Sequence, residues 1–304
     1  MAAPDWKGLF NWSMRNLDTQ PPDPAAARAL SEEDRRFLER AMEEYAQEPV
    51  KRMQAIQEQL RGDATEEGAV VKQEALLEEL VEIVENIDFA RDLAIIGGLP
   101  TLLRLLESPH PGVRARAAEV LATCAQANPP VQDWFLEGGV LQPLLKLASD
   151  PDDTCRTKAL LALSCLVRHH PASLDAFRRA GGLRLLAAAL GDGAPRARRK
   201  ALQLLREVLC ERPEDAAAAC DLGLPNTLAA LMARPSGETG EAALALLAAL
   251  VADPAARERL RQEPRLLQAL EAAETRLNSL DLADLEPRRE ELALARHSHR
   301  EPRR

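Results

Sequence analysis

The chain has 304 residues, a net charge of −9, 46% hydrophobic and 29% charged residues, and only 3% aromatics. That much apolar material excludes a disordered polymer, and the negative balance excludes a general nucleic-acid binder. With so few aromatics, Leu, Ala and Val must fill the core, which favours helices over a β-sandwich.

Residues 1–30 open with Trp6, Leu9, Phe10 and Trp12, an apolar cluster outside any repeat. The stretch lacks the apolar run of a secretory signal, so none is expected here. Two readings fit the cluster: a short helix docked on the rest of the chain, or a segment that binds a partner or fills an apolar groove. From Ser13 to Leu30 several prolines and no periodicity predict a linker, so 1–30 reads as a flexible segment.

Residues 31–91 are read as acidic N-terminal capping helices. Between Ser31 and Asp92 stand 18 acidic and 8 basic residues, so the chain's acidity belongs to this stretch. Ser31 is a good N-cap, followed by acidic residues in the first turn. Phe37, Leu38, Ala41, Met42 and Tyr45 then make one apolar face.

Residues 92–262 carry a repeat. Glycines at 97, 138, 181 and 223 each open a Leu-rich stretch. "VRARAAEVLATCAQANP", "CRTKALLALSCLVRHHP" and "ARRKALQLLREVLCERP" follow one another at an offset of 42, ending at Pro129, Pro171 and Pro213. Their shared apolar columns are 117/159/201, 120/162/204, 121/163/205, 124/166/208 and 125/167/209. That is i, i+3, i+4, i+7, i+8, one face of a helix, and the closing proline ends it. A helical period of about 42 points to an armadillo- or HEAT-like fold. The expectation is an all-α, right-handed solenoid of about four 42-residue repeats with helical caps. Residues 263–283 are read as the C-terminal capping helix and 284–304 as a charged, disordered tail.

The middle copy, Cys155–Pro171, contains Cys155, Cys165, His169 and His170. A zinc site needs four converging ligands, yet Cys155 and Cys165 are about 15 Å apart along a helix. Their sister positions are Val113 and Ala197, then Thr123 and Glu207, so the stretch is read as structural. His169 and His170 are expected to favour a helix C-terminus when protonated. No nucleotide-binding, metalloprotease or serine-hydrolase motif is present in the sequence. Neither an enzyme nor a cofactor is expected. Five irregularly spaced cysteines suggest reduced thiols in an intracellular protein. The longest apolar run, Ala242–Ala252, has 11 residues against the roughly 20 of a membrane span.

Two basic columns recur at the start of the repeated helix: Arg114/Arg156/Arg198 and Arg116/Lys158/Lys200. On a solenoid the last helix of each repeat lines the concave face, so these columns are expected to form a basic ladder that binds a partner. Solvated helix faces, with long stems covering apolar surface, are the simpler alternative.

"WKGLFNWS" at Trp6, "LSEEDRRFLERAM" at Leu30, "VKRM" at Val50 and "VENIDFARDL" at Val84 complete the pattern. In this order, with the repeats, they resemble the armadillo-type nucleotide-exchange factors of the seventy-kilodalton heat-shock chaperone, the Hsp-binding-protein/Fes-type family. The resemblance implies a cytosolic co-chaperone, with the nucleus as a second location. It binds the chaperone's ATPase domain so that ADP and then client are released; a monomer is expected, because no self-complementary edge is visible in the sequence. It implies contacts through Asn86, Asp88 and Ala90 as well as the ladder, with Trp6, Leu9, Phe10 and Trp12 helping client release. The alternative is an armadillo scaffold for another protein, without exchange activity.

Overall fold

The computed structural model describes residues 32–62, 67–192, 194–233 and 238–278. The expectations for Trp6, Leu9, Phe10, Trp12 and the tail lie outside these residues. The chain divides into two compact units, Met1–Asp63 and Ala64–Arg304. Among the described residues every regular element is helical.

The first unit contributes α1 (Glu32–Leu60), which carries Pro49 in its interior. Past that proline Met53, Ile56 and Leu60 repeat at three and four residues and are fully buried. This is the single stripe of an amphipathic helix.

The second unit is a stack of three-helix repeats. It opens with α2 (Glu67–Val84). The first repeat is α3 (Ile87–Ile95), α4 (Leu99–Leu105) and α5 (Pro111–Ala125). The second is α6 (Pro129–Glu137), α7 (Leu141–Leu147) and α8 (Asp153–Val167). The third is α9 (Pro171–Arg179), α10 (Gly182–Asp192) and α11 (Pro195–Glu211). In the fourth, a short 3-10 turn (Pro213–Asp215) leads into α12 (Ala216–Asp221), then α13 (Leu224–Met232) and α14 (Glu238–Ala252). α15 (Pro254–Arg261) and α16 (Pro264–Asn278) follow. The longest helices pack side by side in the order α2, α5, α8, α11, α14.

Local chemistry sets these boundaries. Pro111, Pro129, Pro171, Pro195, Pro254 and Pro264 each begin a helix, where the missing N–H costs nothing and the fixed φ suits the first turn. Asp152 and Asp253 cap theirs by accepting from Cys155 N (2.9 Å) and Ala256 N (2.7 Å). Between the first and second helices of each repeat, Gly97, Gly139, Gly181 and Gly223 have φ of 74, 76, 84 and 82°. Their spacing is 42 throughout, so the left-handed glycine marks the period. The Gly-Gly doublet does not: Gly138 falls one residue out of register.

All fifteen residues in the five apolar columns are at most 2% exposed. Two further columns are as deeply buried, 113/155/197 and 118/160/202, at 1% or less. The sequence stripe was too narrow because α5, α8 and α11 have neighbours on both sides of the stack.

Candidate partner-binding face

The third helices present their remaining side to solvent, and the Arg116/Lys158/Lys200 column lies on it. In α5 and α8 that column is already engaged. Arg116 donates to Glu78 Oε1 (3.1 Å) and Glu119 Oε2 (2.8 Å), and Lys158 Nζ donates to Glu119 Oε1 (2.5 Å). Burial raises the Glu119 carboxyl, but the hydrogen bonds from Lys158 and Arg116 together outweigh it and hold Glu119 below the usual carboxylate range. Lys200 on α11 has no such carboxylate, and among the described residues it makes no ion pair. About two turns further, Glu207 accepts from Ser164 Oγ (2.9 Å) and pairs with Arg168. The face is therefore neutralised over α5 and α8 and open and basic over α11. On α14 the aligned positions are Ala242, Ala245, Ala248 and Ala249, which leave a floor of small side chains.

The other column does not face solvent as the ladder reading expected. Arg114 binds Asp150 through two hydrogen bonds of 2.9 Å and donates to the carbonyls of Ser108 (2.8 Å) and Pro109 (3.1 Å). The Asp150 hydrogen bond raises the Arg114 pKa against the cost of burial. Arg156 likewise donates to the carbonyls of Asp150 (2.6 Å) and Pro151 (3.1 Å). Arg198 is 8% exposed and donates to Leu190 O (3.0 Å). Arg114 and Arg156 fold back on the loops that lead into their own helices, and Arg198 folds back on the last turn of α10. The column clamps the chain just before each third helix, and its three-fold recurrence has a structural cause.

Asn86, Asp88 and Ala90 belong to α3, a first helix, and the structure does not bring them into the layer of third helices. Asn86 is the N-cap, its Oδ1 accepting from Asp88 N (2.9 Å). Asp88 is exposed and paired with Arg91 (3.5 Å). Ala90 is 1% exposed, so its small side chain is required by packing inside the protein.

The cysteines and histidines form no metal cluster among the described residues. Burial pushes the Cys155 thiol up to about 12 and Cys220 to about 11, which leaves both as unreactive thiols. His170 opens α9 rather than closing α8. Its Nδ1 accepts from Ser173 N (3.3 Å), and its Nε2 lies 3.0 Å from Asp133 Oδ1 on the preceding repeat. Asn128 and Arg212 stand in the same register. Asn128 Nδ2 donates to Ile87 O (3.2 Å), and Arg212 donates to Asp175 Oδ1 (3.0 Å). These rungs tie successive repeats together. The 42-residue offset aligns all three in the sequence, where they read only as a polar helix end and not as contacts between repeats.

An all-helical stack of this kind, with one continuous layer of third helices, defines an armadillo-type repeat protein. Solved structures agree on the fold. A designed armadillo repeat protein superposes with a TM-score of 0.66 at 21% identity, covering 82% of this chain and 98% of its own. A computationally designed armadillo protein for modular peptide recognition gives 0.65 at 21%, covering 81% and 98%. Within that class, the model of the nucleotide exchange factor Fes1 matches residues 6–93, and that of the SIL1/FES1/HPBP1 C-terminal domain matches residues 89–227. The chain belongs to this SIL1/FES1/HPBP1 family, the two models running head to tail through the repeats. Hsp70-binding protein 1 of Homo sapiens is 33% identical over 133 residues, 40% of this chain and 36% of that protein. The Mus musculus protein is 33% identical over 147 residues, 45% and 41%. The chain thus aligns with only about two fifths of these relatives' length.

Proposed function

We propose that this protein is a nucleotide-exchange factor for a seventy-kilodalton heat-shock chaperone. Its third-helix face grips the chaperone's ATPase domain in the state that has lost nucleotide. The observation that carries the reading is the pair of family models that meet within α3 and span residues 6–227. The physical requirement is differential affinity. A protein that binds the open ATPase domain more tightly than the closed one shifts the population toward open, and ADP leaves. By linkage, nucleotide weakens the factor's own binding by the same ratio. No residue of this chain needs to touch nucleotide for this, so the mechanism requires no catalytic group or cofactor. A monomer acting in the cytosol completes the reading.

On this face Lys200 is the ladder cation with no ion partner among the described residues, so it is the one able to meet an acidic patch on the chaperone. Arg116 and Lys158 would first have to give up Glu119. The test is stopped-flow release of fluorescent ADP from a purified chaperone. The protein is expected to accelerate release, Lys200→Ala to weaken the acceleration by about tenfold, as for a lost charged contact of about 1.4 kcal/mol, and Lys158→Ala to weaken it less. Unchanged release at saturating protein would sink the exchange reading and leave an armadillo scaffold for another partner.

A further inference from the structure

The loop of residues 106–110, between α4 and α5, carries the one Ser-Pro or Thr-Pro dipeptide in the sequence, Ser108 followed by Pro109. A proline disfavours helical backbone in the residue before it and favours extended geometry, the form in which a protein kinase reads a substrate segment. Ser108 lies outside any helix and is half-buried. Its place in the repeat is informative. At the 42-residue offset stand Asp150 and then Asp192, so the two following repeats have a carboxylate where the first has a hydroxyl.

The local turn is the same at Ser108 and Asp150. Asp152 N donates to Asp150 Oδ1 (2.9 Å), and His110 N donates to Ser108 Oγ (3.3 Å). The surroundings differ in charge. Asp150 is bound by Arg114 of the preceding third helix, and the two side chains are 11% and 13% exposed. The helix before Ser108 in the stack is α2. Arg116 reaches Glu78 there as Lys158 reaches Glu119, which aligns Glu78 with Glu119 and hence Gln73 with Arg114. Ser108 is thus matched with a neutral side chain, and a charge placed on it has no cation of its own. Arg114 is the cation at hand: its Nη1 donates to the Ser108 carbonyl (2.8 Å) while Nε and Nη2 hold Asp150. Of the other charges around the loop, Glu74 lies over Gly112 and Glu107 precedes Ser108, and both repel a phosphate. Arg104, and Lys146 on Glu107, are exposed, so water screens their pull.

We propose that Ser108 is a phosphorylation site for a proline-directed protein kinase, and that its phosphate draws Arg114 away from Asp150. The γ-phosphoryl group of ATP moves to Ser108 Oγ. The bond between the γ-phosphorus and the β–γ bridging oxygen breaks, ADP leaves with that electron pair, and the hydroxyl proton passes to the kinase's catalytic aspartate. The product carries about two negative charges and strong acceptor oxygens, against the single charge of Asp150. Losing Arg114 leaves the Asp150 carboxylate buried and uncompensated, so the loop that leads into α8 opens. Phosphorylation loosens the junction between the first and second repeats, at the start of a helix of the candidate face. The inference holds whichever partner that face takes.

The full-length chain is incubated with a purified proline-directed kinase and magnesium ATP, and the sites are mapped by peptide mass spectrometry. A phosphate on Ser108 is expected, absent from Ser108→Ala. Hydrogen exchange is then compared with and without the phosphate. Amides from 149 to 155 are expected to exchange severalfold faster in the phosphorylated chain, while α14 keeps its protection. Asp150→Asn gives up the ion pair and keeps the shape, so its loop is fast before modification and the phosphate adds nothing further. Phosphoserine introduced at position 108 during translation separates access from consequence. A folded chain that the kinase leaves unmodified at Ser108 overturns the site. Unchanged exchange at 149–155 with phosphoserine in place, or an equal acceleration in Asp150→Asn, overturns the capture of Arg114, since a phosphate held by Lys146 or Arg104 would leave Asp150 undisturbed.

Discussion

At the residue scale, Glu119 decides how the face over α5 and α8 behaves. Glu119 is held ionised by Lys158 and Arg116. A carboxylate with a depressed folded-state pKa adds stability above its unfolded pKa and loses it as pH falls through the folded value. Glu119→Gln should therefore cost about 1 kcal/mol near neutral pH, a charge-assisted hydrogen bond discounted for partial exposure. The difference from the unaltered protein should close below about pH 4. Thermal melts of both proteins across pH 3–7 measure it, and a pH-independent difference would remove the linkage. Ala90 illustrates a different lesson. The sequence reading places Ala90 in contact with a partner. At 1% exposure, Ala90→Arg instead forces a charged side chain into packed space and should cost about 3 kcal/mol or more. Asp88→Arg, on the exposed side of the same helix, should leave the melting temperature unchanged and is the substitution that tests contact. A cooperative melt of Ala90→Arg at the original temperature would reverse this assignment.

At the element scale, each repeat is set by its turns. Gly138 and Gly139 are adjacent yet needed for different reasons. Gly139 has φ 76° and nothing within 4 Å of an added Cβ, so Gly139→Ala should cost about 1–2 kcal/mol through backbone conformation alone. Its turn closes with Val140 N donating to Phe135 O (3.1 Å) and Gly139 N to Leu136 O (3.2 Å). Gly138 has an ordinary φ, but an added Cβ would stand 2.2 Å from Leu99 Cδ2 and 3.1 Å from Trp134 O. Gly138→Ala should therefore be partly rescued by Leu99→Ala, while Gly139→Ala should not. A double-mutant cycle by denaturant unfolding reads the coupling, and equal coupling for both glycines would refute the distinction. The doublet was visible in the sequence. Which glycine adopts the left-handed conformation was legible only from its 42-residue spacing, which the doublet itself obscures.

At the scale of the whole stack, each repeat is held to the next by a hydrophobic seam and a few polar rungs, so stability is shared between neighbours. Arg178 and Asp215 make the most buried rung between the third and fourth repeats, with side chains 28% and 11% exposed and Arg178 Nη2 to Asp215 Oδ1 at 2.6 Å. Arg178→Ala strands a carboxylate and should cost about 2 kcal/mol. The loss should be local: hydrogen exchange should quicken in α9, α12 and α13 while α5 and α6 keep their protection. Uniform loss of protection would show that the stack unfolds as one unit.

The sequence by itself determined the period, the helix ends before proline, the core columns and the family, because each is a local pattern repeated along the chain. Residues three and four apart share a helix face whatever surrounds them. Only the tertiary structure decided where the polar side chains of that pattern go. Arg114 and Arg116 are two residues apart in one helix, yet one clamps a loop through Asp150 and the other joins Glu78 and Glu119 on the face. His170 and Ala90 were settled in the same way, by neighbours on other helices. The partners that fix these roles lie about one repeat away, from 36 residues for Arg114–Asp150 to 41 for Asn128–Ile87. Helix periodicity sets the spacing of side chains along one element, but charge and burial depend on what the next repeat brings against it.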